Sequence, residues 1–214
     1  MLVIDGVLQR VVADLYAPVT VDNAPGLRAQ ALHQLLSPTL RQVGAISGET
    51  AVWIYAGGTE PRRLHVITEG VYRRHTKHGV QWRIHQIPLG RSHVHRLEGV
   101  ALTSPARTAA DLLVGRGCEA SRVPLDTLIS RPQDHARPGG RLGQSAGAAP
   151  AGDVALQHRQ ATLRRLTTHT TVEPGLVQEI LSGDRSPFPC EPARAAALVQ
   201  LLAQCTSRRF PTVR

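Results

Sequence analysis

Six of the ten histidines lie between positions 65 and 95: His65, His75, His78, His85, His93 and His95. The spacings His75-x-x-His78 and His93-x-His95 can each aim two imidazoles at one point, as a zinc ion requires. No cysteine joins them, and neither HExxH nor an HxE…PCxxC pattern is present. The expectation is therefore no metal and no other cofactor, with the histidines sharing a basic surface. The same stretch carries Arg62, Arg63, Arg73, Arg74, Lys77 and Arg83. That composition suits a phosphate backbone, which is gripped by cations irrespective of base sequence. Tyr72 and Trp82 interleave with these cations, as the stacking rings of single-strand binders do. Trp82 is equally a core candidate, because two Trp and two Phe serve the whole chain.

Catalysis finds little footing. Lys77 is the only lysine, and it follows no glycine-rich phosphate loop and no acidic residue two positions before it. A P-loop, Schiff-base chemistry and the ExK end of a restriction-type nuclease site are thereby excluded. Ser47 and Ser104 read as helix caps, and neither lies in GxSxG. Asp111, Glu119 and Asp126 do not assemble into the carboxylate pair of a metal-dependent nuclease. No catalytic residue is assigned, and the chain is not expected to be an enzyme.

The positive charge is local. The 214 residues carry a formal charge of +9, and positions 51–100 hold eight Arg or Lys against three Glu. With 42% hydrophobic but 3% aromatic residues, the core must be filled by Leu, Val and Ala. Cys118, Cys190 and Cys205 form no CxxC, which argues against a disulfide framework or a cysteine zinc site. MLVIDGVLQR lacks the basic start of a signal peptide, and no apolar run reaches membrane-spanning length. A cytoplasmic protein with no membrane partner is expected.

The elements that must position these residues follow from periodicity. Val7–Val12 and Asp14–Tyr16 read as short strands, and Pro25 opens a helix stopped by Ser37-Pro38. A strand from Gln42 to Ile46 leads through Ser47 into a helix ended by Gly57-Gly58. Strands are expected over Arg63–Thr68, Val80–Ile87 and Val100–Thr103, with Lys77-His78-Gly79 as a turn. Ser104 then caps a helix with Pro105 at its first position, where Arg107 and Asp111 stand one turn apart as an ion pair. Residues 131–152 have the Gly, Pro and Ala content of a flexible insert. Helical patterns follow at Val154–Leu166, Pro174–Leu181 and Pro192–Gln204. The expected fold is α/β: a small mixed or antiparallel sheet flanked by helices, with a helical C-terminal part.

Four stretches resemble the AbiEi-type antitoxins of type IV toxin–antitoxin systems, in a short form. DGVLQRVVADLYAP resembles the wing that closes the family's N-terminal winged helix. PGLRAQALHQLL and AISGETAVWIYAG are similar to helices of the next domain. LEGVALTSPARTAADLL is similar to the family's most recognisable segment, carried here by Ser104, Pro105, Arg107, Thr108 and Asp111. The resemblance implies a wing-like remnant at 1–20, an α/β domain at 21–130, the insert at 131–152, a helical part at 153–205 and a basic tail at 206–214. It implies a transcriptional regulator that binds promoter DNA and counters a nucleotidyltransferase-type toxin. The signature residues would then hold the fold, and the six cations named above would be the phosphate contacts. The chain opens on the wing, so a recognition helix is expected to be absent or short; phosphate contacts alone orient without selecting bases. Rival readings are a degenerate nuclease-like enzyme and a protein-interaction module that binds no DNA.

Overall fold

The computed structural model describes residues 6–70, 80–120, 122–130, 151–184, 186–188 and 190–207. Strands β1 (Leu8–Val12) and β2 (Leu15–Pro18) form an antiparallel hairpin. Its Val11, Val12 and Ala17 are buried in one cluster with Leu32 and Leu35 of α1 (Pro25–Leu35). The wing-like pair therefore packs into the main core.

Ser37-Pro38 does end α1, but it also begins a second helix, α2 (Pro38–Val43), which corrects the expected strand start at Gln42. Ser37 Oγ accepts from Leu40 N–H at 3.3 Å, and Pro38 needs no donor at the first helical position. The strand β3 is thereby shortened to Gly44–Ile46. Gly44 is needed at this junction, because a Cβ there would lie 2.7 Å from the Leu40 carbonyl oxygen and 2.9 Å from Val66 Cγ1. Helix α3 (Gly48–Ala56) follows, apolar and buried almost all round, and ends at Gly57 in a left-handed conformation.

The remaining strands are β4 (Leu64–Thr68), β5 (Trp82–Gln86), β6 (Val94–Leu97) and β7 (Val100–Thr103). With β3 they form a mixed sheet of order β5-β4-β3-β7-β6. The pairs β3–β4 and β6–β7 are antiparallel, and β3–β7 and β4–β5 are parallel. The expected α/β fold with a small mixed sheet is thus observed. Strand β6 was not expected from the sequence. It turns into β7 through Glu98 (φ 50°) and Gly99 (φ 80°), a tight turn that lacks the Asn-Gly or Asp-Gly signature.

One face of this sheet is apolar. Ile46, Leu64, Val66, Val100 and Leu102 are buried with α1 and the hairpin, and Trp82, Ile84 and Leu97 pack against them. Strand alternation puts His65, Ile67, Arg83 and His85 on the other face of β4 and β5.

Helix α4 (Pro105–Leu113) leads to a short α5 (Leu125–Ser130), also unforeseen, then α6 (Ala151–His169), α7 (Pro174–Ser182) and α8 (Pro192–Ser207). Leu163, Leu166, Val177, Ile180, Leu181, Leu198 and Leu202 share a second buried cluster with Val52 of α3 and Leu112 and Leu113 of α4. The helical C-terminal part is docked on the α/β part through this core. Of the expected insert, residues 131–150 lie outside the described residues, whereas Ala151 and Gly152 open α6. Of the expected basic tail, Thr206 and Ser207 close α8 and the rest lies outside the described residues. Among the described residues no helix is long and apolar enough to cross a membrane.

Candidate functional site

The α4 signature is a buried polar hub. Ser104 Oγ accepts from Arg107 N–H at 3.3 Å, and Pro105 takes the first turn. Thr108 Oγ1 lies 2.7 Å from Thr103 Oγ1, which fixes the helix start against the end of β7. Arg107 Nε stands 3.2 Å from both Asp111 carboxylate oxygens, and the two side chains are 0% and 1% exposed. Arg107 also donates to His93 Nδ1 at 2.9 Å, which makes that nitrogen an acceptor. Its guanidinium carbon lies 5.2 Å from the centre of the Phe188 ring, and that of Arg116 lies 4.4 Å from the same ring. Burial pushes the Asp111 carboxyl up to about 6, against the opposing pull of Arg107 and Arg116. The expected ion pair and cap are therefore present, and they tie β7, α4, the 88–93 segment and Phe188 together. Asp111 shares the one Arg107 Nε–H between its two oxygens. Glu119 accepts from Arg63 N–H at 2.7 Å, and Asp126 pairs with Arg194 at 2.7 Å, so the three acids are held apart in separate contacts.

Ser47, the other expected cap, behaves differently. It occupies the N-cap position of α3, but its hydroxyl makes no capping bond and is buried without a partner. The extended Ser47 backbone instead donates to the His65 carbonyl at 2.9 Å, continuing the β3–β4 ladder.

A cationic edge lies next to the hub. His65 and His85 stack with ring centres 5.4 Å apart and planes within 14°, and His65 Nδ1 is 3.1 Å from His85 Nε2. The parallel β4–β5 register creates this pair: His65 lies opposite Arg83, and His85 lies one same-face step further along. Burial comes first in lowering both rings, His65 to about 3 and His85 to about 4. Arg83 and Arg122 repel a proton from both rings, Arg63 from His65 and Arg116 from His85. Both rings are neutral at pH 7, and the charge of the edge resides in the arginines. Arg63 and Arg122 are exposed, Arg83 and Arg116 half-buried.

Of the sequence-derived contacts, Arg63 and Arg83 are brought to this edge. Arg62 and Arg63 also line a cavity of about 630 Å³ between the hairpin turn and the start of β5, with the acids Asp14 and Glu60 on its wall. Glu60 is held there by Arg10 at 2.6 Å. Arg73, Arg74 and Lys77, with Tyr72, His75 and His78, lie outside the described residues. Trp82 packs on the apolar face, opposite Arg83, which removes it as a stacking partner for that cation. His93 and His95 diverge: His93 meets Arg107, whereas His95 Nδ1 lies 3.1 Å from the Tyr55 hydroxyl. Among the described residues no group of three or more His, Cys, Asp or Glu is arranged to hold a metal.

Arg116 and Arg122 escaped sequence reasoning. They belong to the α4–α5 connection, which is anchored at both glycines that flank Arg116. Gly115 has φ 82°, and a Cβ there would lie 2.3 Å from the Arg122 carbonyl oxygen. Gly117 packs against Gly48 so closely that a Cβ would lie 2.6 Å from Gly48 Cα. Glu49 N–H donates to the Gly117 carbonyl at 2.9 Å, and Glu119 N–H donates to Glu49 Oε1 at 3.1 Å. The only local signal was the Gly-Arg-Gly triplet after a helix, which marks a turn and not a partner.

The arrangement is a mixed α/β fold with a buried signature hub and an arginine-rich sheet edge. Comparison with protein-family models, curated proteins and solved structures finds no match for the chain.

Proposed function

We propose that this chain is an AbiEi-like antitoxin and transcriptional regulator that binds DNA without catalysing a reaction. The convergence of Arg63, Arg83, Arg116 and Arg122 on the β4–β5 edge carries the DNA-binding half of this reading. Cations from three separate chain segments act there on rings that are themselves neutral. Such an edge attracts a polyanion and holds its phosphates in register. The toxin-directed half rests on the likeness of the Leu97–Leu113 segment to the antitoxin signature. The hub formed by Ser104, Arg107, Thr108 and Asp111 supports it, since it gives those residues the fold-holding role that the resemblance implies. The partner is then a nucleotidyltransferase-type toxin, and the place of action the cytoplasm.

The burial of Asp111, whose side chain is 1% exposed and shares the Arg107 Nε–H between its two oxygens, weighs against the nuclease-like rival, because that carboxylate does not face a site open to an ion and a substrate. Fluorescence anisotropy with a 30-base-pair duplex tests the reading. The wild-type chain should bind at low salt, and Arg63→Ala/Arg83→Ala/Arg122→Ala should bind at least tenfold more weakly. Arg194→Ala, which removes a cation on α8, should bind like the wild type. Equal binding by all three proteins would overturn the proposed interface.

A further inference from the structure

We propose that the β4–β5 edge holds a discrete phosphodiester-binding site at which His85 takes up a proton from solvent as the phosphate binds. The inference rests on the DNA-binding reading above and adds to it the chemistry of one contact.

The argument starts from the histidine pair. With His65 Nδ1 and His85 Nε2 3.1 Å apart, a single hydrogen serves both nitrogens. The outer nitrogen of His65 is buried and has no partner, so the inner ring has no second group to stabilise a charge. His85 is half-buried and is the ring a ligand can reach. The charged groups facing the pair come from three places: Arg63 just before β4, Arg83 on β5, and Arg116 and Arg122 on the α4–α5 connection. Helix α3 contributes the neutral Thr50, whose hydroxyl accepts from His65 N–H at 2.9 Å. The nearby acid Glu119 is turned to Arg63 N–H.

Arginine repulsion is thus one of two forces that keep the proton off His85, and burial is the other. A phosphate oxygen seated among Arg83, Arg116 and Arg122 cancels the first and leaves the second. The bound state then has the higher proton affinity, so by linkage the complex gains stability as pH falls. With the bound value about one unit higher, the window runs from about 5 down to about 4, the value in the free protein. Recovery of roughly one pKa unit gives about tenfold tighter binding only well below pH 4, and about twofold at pH 5. No covalent bond changes; one proton moves from water to the imidazole.

The test uses the full chain and a Cy5-labelled 30-base-pair duplex at constant ionic strength, from pH 7.5 to 5.0. The wild type should tighten about twofold more than His85→Asn over this range, while His95→Asn should follow the wild type. A wild-type slope retained by His85→Asn overturns the proton uptake and leaves the DNA reading standing. If the wild type fails to bind the duplex at any pH, the DNA reading falls and this inference with it. Should His85→Asn misfold, nitrogen-15 titration of the wild-type imidazoles decides. The His85 midpoint should rise by about one unit when the duplex is added, and an unmoved midpoint overturns the proposal.

Discussion

The two faces of the β4–β5 ribbon solve opposite problems. One presents Leu64, Val66, Trp82 and Ile84 to the hairpin and α1, where burying apolar area is itself the driving force. The other presents His65, Arg83 and His85, whose burial is unfavourable unless each polar atom finds a partner. Partners are only partly supplied: His65 Nε2 on this face is buried and unpartnered, as is one terminal nitrogen each of Arg107 and Arg116 in the neighbouring hub. Unpartnered buried atoms also occur away from that side, at Ser47 Oγ and at Arg165 on α6, so it is the gathered arginines, and not the unsatisfied atoms, that the proposed interface draws on.

The largest expected effect breaks the hub that supports this polar side. Asp111→Ala leaves Arg107 buried without its counter-ion and should destabilise the chain by about 3–5 kcal/mol in urea unfolding. The double variant Arg107→Leu/Asp111→Leu should recover much of that loss, because no unpaired charge remains. A double variant no more stable than Asp111→Ala would mean that the pair is not the dominant contact.

Acid should act next, and with opposing signs on the two clusters. His65 and His85 have folded values below 6.5, so their contribution is intact above 6.5 and is lost as pH falls toward about 3 and 4. Asp111 has a folded value near 6, raised from 3.8, so its contribution is greatest below 3.8 and is lost as pH rises through 6. Two histidines outweigh one carboxyl between pH 6 and 4, at about 1.4 kcal/mol for each group and each pH unit. Thermal unfolding should show a net fall in stability on acidification, and His65→Phe/His85→Phe should reverse its slope.

Smaller changes sharpen the contrast. Phe188→Leu keeps an apolar group beside Arg107 and Arg116 but removes the ring beneath them, a loss of about 1–2 kcal/mol. The two helix-start serines give the finest comparison. Ser104→Ala removes a real cap and should cost about 1 kcal/mol, whereas Ser47→Ala removes a hydroxyl with no partner and should be neutral or stabilising. Equal losses at the two positions would contradict the distinction drawn between them.

Much of the scaffold was legible because it is local. Ser104-Pro105, the Arg107–Asp111 spacing and the Gly57 stop are each encoded within one turn of chain, and all three are observed. The same Ser-Pro pattern at Ser37-Pro38 reads locally as a stop, yet a proline after an apolar run both ends one helix and can begin another, as α2 does. The site was less legible because it is tertiary. His65 and His85 show up in sequence as members of two alternating strands, but their contact depends on the parallel register of β4 and β5. Arg116 and Arg122 reach the edge only because Gly115 and Gly117 let the connection press against its own return and against Gly48. No periodicity in the sequence encodes that approach.

The salt dependence of duplex binding tests the central claim most directly, since each neutralised phosphate adds about 0.9 to the slope of log affinity against log salt. With Arg63, Arg83, Arg116 and Arg122 engaged, the wild-type slope should be about −3 to −4, and Arg83→Ala/Arg122→Ala should lower its magnitude by about 2. A slope unchanged by the double substitution would place the phosphates elsewhere on the molecule and contradict the account.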